Sequence, residues 1–143
     1  MNFNFFEDTK AAYISVNNAG FLVNGKIFQT IQCFIREIRP VRKLFKGRKI
    51  ECYSNDAKKS KSGEFCALCP KRMQCKQRIR LMLLIQDKDQ EGIPAQLEIN
   101  SNSFEPLKKI LEPIKTEELP TLLVNLAVKT QDKYLQIQFN TVF

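Results

Sequence analysis

The chain has 143 residues, 43% of them apolar and eleven of them Phe, with a formal net charge of +8 and no histidine. That length fits one domain over 1–143 and is enough to bury a core. The longest purely apolar run, Leu81 to Ile85, is far short of a membrane span, and the opening MNFNFFEDTK lacks the basic segment and long apolar run of a secretory leader. The expectation is a soluble intracellular protein, cytoplasmic or nucleoid-associated, with no membrane partner.

The charge is segregated. Between Arg39 and Arg80 stand fourteen Lys/Arg against Glu51, Asp56 and Glu64, a net +11, while the remainder carries nine Lys/Arg against twelve Asp/Glu, a net −3. A near-neutral body with one strongly cationic region is the footprint of a polyanion binder, and a solvated basic loop is the plainer alternative.

In chain order, KIFQTIQCFIREI (26–38) alternates as a half-buried strand, with Ile27, Ile31, Cys33 and Ile35 on one face. Phe28, Thr30, Gln32, Phe34 and Arg36 lie on the other. Arg39-Pro40 is expected to end or bend this strand. Residues 40–76 then read as a basic, cysteine-rich insertion without sustained period, containing the biased stretch KKSKSG. QRIRLMLLIQ (77–86) is a second strand, with Ile79, Leu81, Leu83 and Ile85 inward and Arg78, Arg80, Met82 and Gln86 outward. DKDQEG is a turn and AQLEIN (95–100) a third strand. In SNSFEPLKKILEPI, Ser103 is the predicted N-cap, Glu105 and Pro106 suit a first turn, and Leu107, Ile110 and Leu111 form the apolar stripe of a helix. Pro113 and Pro120 bracket its exit, after which TLLVNLAVKT and YLQIQFNTVF are two strands around QDK. The fold class is therefore mainly β. Five strands with one helix between the third and fourth match the element order of the OB-fold, a small Greek-key barrel, with the insertion between strands 1 and 2. In that fold the first interstrand loop borders the usual oligonucleotide site, and here that loop is the cationic one.

Four of the five cysteines, Cys52, Cys66, Cys69 and Cys75, are spaced C-x13-C-x2-C-x5-C inside the insertion. An x2 pair places two thiolates on one metal from a tight turn, and with no histidine an all-cysteine shell is the set that remains. Such a site would organise a segment too polar to bury a core of its own. Lys71, Arg72 and Lys76 are placed to stabilise the thiolates. Four unrelated reduced cysteines are the alternative reading. Zn2+ is the expected ion and an iron–sulfur cluster the other cofactor such a set accommodates. Cys33 belongs to the apolar face of the first strand. The chain has no Gly-rich phosphate loop, no Ser or Cys nucleophile with a base and no carboxylate pair at a telling spacing, so no enzyme is expected.

The stretch ECYSNDAKKSKSGEFCALCPKRMQC, followed by LEINSNSFEPLKKIL, resembles OB-fold single-stranded DNA-binding proteins that carry a four-cysteine zinc ribbon. The C-terminal domain of the replication protein A large subunit, whose ribbon is inserted between the first two strands, is similar, as are phage and mobile-element proteins with a Cys-x-Ser-x-Asp…Cys-x-x-Cys-Pro…Cys block. The x13, x2, x5 spacing departs from the paired knuckles of the eukaryotic ribbon. CALCPKRMQC is also similar to the cluster-binding end of RecB-type nucleases, without the acidic Glu-x-Lys core those enzymes need. The resemblance implies single-stranded nucleic-acid binding, DNA before RNA, in replication, recombination or a mobile-element process. Under that reading Arg36, Arg39, Arg42, Lys43, Lys46, Arg48, Lys49, Arg78 and Arg80 would meet phosphates, and Phe28, Phe34, Phe45, Tyr53 and Tyr134 would stack on bases. Phe28 and Phe34 are equally explained as core residues. The other function is an adaptor subunit whose ribbon and barrel dock on a larger replication, transcription or defence complex, and replication or recombination proteins are the expected protein partners.

Overall fold

A computed structural model describes residues 11–46, 48–63, 65–71, 74–87, 90–131 and 134–142. The segment read for a leader (1–10), Arg72, and the turn tips Lys88–Asp89 and Asp132–Lys133 lie outside the described residues. Among those residues no helix is long and apolar enough to cross a membrane.

The chain enters through β1 (Ala12–Tyr13) and a three-stranded meander that the periodicity alone did not predict: β2 (Ser15–Asn17), β3 (Gly20–Val23) and β4 (Lys26–Phe28). Asn24 and Gly25 both take positive φ, 49° and 80°, giving the two-residue hairpin that matches strand twist between β3 and β4. At Gly20, φ is 130° and a Cβ would stand 2.2 Å from the Phe28 carbonyl oxygen, so only glycine fits where β3 starts. The meander sends Phe21 and Val23 into the core and turns Ile27 outward, 55% exposed. Ile27 therefore does not share a face with Ile31, because the chain bends at Gln29 and the predicted first strand is two strands in different sheets.

The main sheet is built on β5 (Thr30–Lys46), with β6 (Lys49–Ser54), β7 (Lys76–Asp87), β8 (Gln90–Ile99), β9 (Leu123–Gln131) and β10 (Tyr134–Thr141). Its order is β1-β8-β7-β5-β9-β10, antiparallel except for β1 with β8, and β6 pairs the far end of β5. Ile31, Cys33 and Ile35 of β5 meet Leu81, Leu83 and Ile85 of β7 in the core. Ala95, Leu97 and Ile99 of β8, Val124 and Leu126 of β9, and Ile137 and Phe139 of β10 close it. Each such large side chain contributes roughly 1.5–3 kcal/mol on leaving water. Cys33 sits among them, and burial pushes its thiol up to about 12.

Two expectations about β5 and β7 are corrected. Strand β5 does not end at Arg39-Pro40; it bends at a bulge between Ile35 and Glu37 and continues to Lys46. It pairs β9 through Thr30–Phe34 and β6 through Arg42–Lys46, so Pro40 falls where β7 is its one ladder partner among the described residues, a place a residue without an N–H is tolerated. Met82, predicted outward, is 1% exposed, so both faces of β7 are covered there.

After β8 comes the helix α1 (Phe104–Leu111), which buries Leu107 and Ile110 as its stripe requires. Ser103 precedes it, yet its hydroxyl does not cap it: the Oγ accepts the Ile137 N–H of β10 at 2.9 Å. The described sheet is open and not the predicted five-stranded barrel. The edge of β8 is taken by β1 at Ala95–Gln96, and that of β10 by Ser103 and by the Gln136 side chain donating to the Asn102 carbonyl at 3.0 Å. The two edges whose meeting would close a barrel do not pair with each other, and each has another partner at these positions.

Candidate nucleic-acid interface and cysteine cavity

Beyond Val41 the sheet runs into an arm, residues 42–75, in which few side chains are buried. The β5–β6 hairpin sets Arg42 opposite Ser54 and Leu44 opposite Cys52, so these four share a face. The Cys75 end of the loop folds back on that face, where Arg42 donates to the Cys75 carbonyl at 3.1 Å. A short 3-10 turn, Cys66–Leu68, lets the Cys69 N–H reach the Cys66 carbonyl at 3.2 Å, the tight bend that an x2 pair needs.

All four predicted ligands, Cys52, Cys66, Cys69 and Cys75, line one cavity of about 70 Å³, together with Arg42, Leu44, Ser54 and Ser60. In donor type and number they fit a closed four-thiolate centre. Among the described residues no three Cys, Asp or Glu side chains already converge as a ready-made ligand group. Lys71 takes a carboxylate and not a thiolate as its first partner. It donates to Glu51 at 2.9 Å, and this exposed hydrogen bond raises the Lys71 pKa and lowers that of Glu51, the Cys69 thiolate adding a weaker pull on Lys71.

On the other side of β6 lies an open groove of about 640 Å³, lined by Arg39, Pro40, Tyr53, Asn55, Asp56 and the 58–61 segment. Its floor is fixed by one carboxylate. Asp56 Oδ1 accepts from the Ser54 hydroxyl at 2.9 Å and from the backbone N–H groups of Lys58 at 2.8 Å and Lys59 at 3.0 Å. The bond from the Lys59 N–H, then that from Lys58, holds the carboxyl down at about 2. Ala57 takes φ 60° to make the turn. The acid is thus directed into the backbone, and the Lys58, Lys59 and Lys61 side chains stand exposed beside Tyr53, itself 40% exposed. Asn55 ties the groove to the sheet by accepting from Arg80 at 3.4 Å.

Of the predicted contact residues, Arg39 and Tyr53 meet in this groove. Arg39 is held by a two-bonded pair with Glu37, at 2.5 and 2.9 Å. Lys43 and Arg80 face inward to Glu98 Oε2, at 2.6 and 3.7 Å, with side chains 18% and 13% exposed, and so act as a part-buried charge cluster of the sheet. Arg42 turns to the cysteine cavity. Arg78 lies over the Phe45 ring at 5.2 Å and Arg36 over Phe34 at 5.5 Å, each aromatic half-buried. Lys46, Arg48 and Lys49 are exposed around the tip of the β5–β6 hairpin. Phe28 packs partly on the core under Lys26, and Tyr134 begins β10, two strands from β5, so neither joins the groove. Sequence reading passed over Lys58, Lys59 and Lys61, whose signal was the biased KKSK run itself.

Comparison with protein-family models, with curated proteins and with solved structures gives no match for this chain.

Proposed function

We propose that this protein binds single-stranded nucleic acid, DNA before RNA, through the groove of Arg39, Tyr53, Lys58, Lys59 and Lys61, and that it catalyses no reaction. The observation that carries the reading is the groove's charge excess: Arg39, Lys58, Lys59 and Lys61 line it beside Tyr53 against one acid, Asp56, whose Oδ1 is turned to the backbone N–H groups of Lys58 and Lys59. Phosphates would be held by the lysines and one base would stack on Tyr53, worth ~1–3 kcal/mol. An OB-type body is supported by the order β5, β7, β8, α1, β9, β10 and by the pairing β8-β7-β5-β9-β10. The cysteine cavity supports a four-thiolate site, with Zn2+ ahead of an iron–sulfur cluster; Cys52, Cys66, Cys69 and Cys75 would hold the ion, which supplies folding free energy to the arm.

Anisotropy titration of a labelled dT oligonucleotide at two salt concentrations tests this. Affinity falls steeply with salt, and replacing Lys58, Lys59 and Lys61 together with Ala flattens the log–log slope by about 2, near 0.7 per phosphate contact. Tyr53→Ala weakens binding by about 1–3 kcal/mol. Absent or salt-independent binding overturns the reading. The adaptor alternative is favoured by Ile50, Phe65 and Leu68 on the arm, exposed by 48%, 54% and 80%; a partner complex that survives nuclease, with no oligonucleotide affinity, is its signature.

A further inference from the structure

The groove and the cysteine cavity are two sides of one wall. Tyr53 and Ser60 line both. The segment bearing the groove lysines is tied on one side to β6, where the Lys61 N–H meets the Tyr53 carbonyl at 3.0 Å. On the other it is tied to the first residue of the Cys-x-x-Cys turn, whose Cys66 N–H meets the Lys58 carbonyl at 2.7 Å. The other restraints on it are local, a Lys59–Phe65 bridge with the Lys59 ammonium over the Phe65 ring and the Gly63 N–H on the Ser60 carbonyl, and none buries apolar area: Lys58, Lys59 and Lys61 are exposed and Cys66 is the nearest buried apolar residue of the loop. A segment with so few buried contacts opens at small free-energy cost. Whatever fixes the thiols therefore fixes the lysines.

Resting on the function proposed above, we infer that metal at Cys52, Cys66, Cys69 and Cys75 and a nucleic-acid strand in the groove bind cooperatively. Each ligand must order the same 53–66 segment, and the one that binds second finds it ordered already. Because coupling between two binding equilibria is reciprocal, the strand must tighten the metal by the factor by which the metal tightens the strand.

The test uses the full chain and Zn2+. The dissociation constant of a labelled dT oligonucleotide is measured on Zn2+-loaded protein, after Zn2+ is stripped by a chelator under reducing conditions, and after Zn2+ is restored. Separately, the Zn2+ dissociation constant is measured by competition with a chromophoric chelator, with and without saturating oligonucleotide. Stripping is expected to weaken the oligonucleotide by about tenfold or more, inside the usual coupling range of about 5–150-fold, reversibly, with the same factor appearing in the Zn2+ constant. Asp56→Ala, which removes the clamp of Ser54, Lys58 and Lys59 inside the shared segment, lowers that factor. Equal oligonucleotide affinity for loaded and stripped protein, a factor unmoved by Asp56→Ala, or oligonucleotide binding by a chain that takes up no Zn2+ overturns the inference and leaves the proposed function standing. Zn2+ binding without oligonucleotide binding overturns the proposed function itself.

Discussion

In the body, eighteen buried apolar side chains from both sheets, α1 and the turn at Leu119 close on one another; in the arm, 42–75, burial among the described residues stops at Leu44, Ser54 and Cys66. The same chain thus uses two sources of order. The body is held by area removed from water, so its geometry follows from side-chain period. The arm is held by local bonds: the Asp56 clamp, the Arg42–Cys75 link, the turn at Cys66–Leu68, and thiols gathered on one cavity. What this teaches is that a polar segment can be shaped without a core, at the price of depending on a few named groups.

The contrast breaks most visibly in the body. Leu81→Ala, at a fully buried position between β5 and β8, costs about 2–5 kcal/mol in chemical denaturation, enough to consume much of a small domain's stability. Cys66→Ser in the arm leaves that core transition in place; if it shifted the transition as far as Leu81→Ala, the two regions would be one cooperative unit. Gly20→Ala is smaller in atoms but confined by backbone: a methyl 2.2 Å from the Phe28 carbonyl forces the β3–β4 register to yield, costing more than about 1 kcal/mol, read as a lower thermal midpoint. The smallest effect sharpens the arm. Asp56 titrates near 3.8 unfolded and about 2 folded, a depressed value, so the order it gives is complete above pH 3.8 and lost as pH falls toward 2. The Lys58 and Lys59 amide resonances should move over that window, and in Asp56→Asn they should not.

The body is legible in sequence where period two runs unbroken. Ile31-Cys33-Ile35 and Leu81-Leu83-Ile85 fall inward as the alternation requires, and Leu107 and Ile110 follow the helical stripe. It is illegible where a backbone device intervenes. The bulge at Ile35/Glu37 carries β5 past a proline that reads as a stop, and the Gln29 bend sends Ile27 to solvent. The meander did leave a signal, Asn24-Gly25, whose positive φ values make a tight hairpin, but its strands are too short to show a period. Ser103 has the residue type and place of a helix cap; its hydroxyl is claimed by a distant strand, which no local rule registers. In the arm the cysteine spacing singles out four residues that line one cavity, because such spacing is itself local. Which cations reach the groove does not follow from composition, since Glu98 of β8 engages Lys43 of β5 and Arg80 of β7, and only folding brings that acid near.

The thiol of Cys33 lies in the middle of the body with its proton held to about 12. At neutral pH it offers essentially no thiolate to an electrophile, whereas the other four cysteines all stand at the arm's cavity. Alkylating reagents are thus kept from the Cys33 sulfur while the protein stays folded, and its modification marks the moment the body opens.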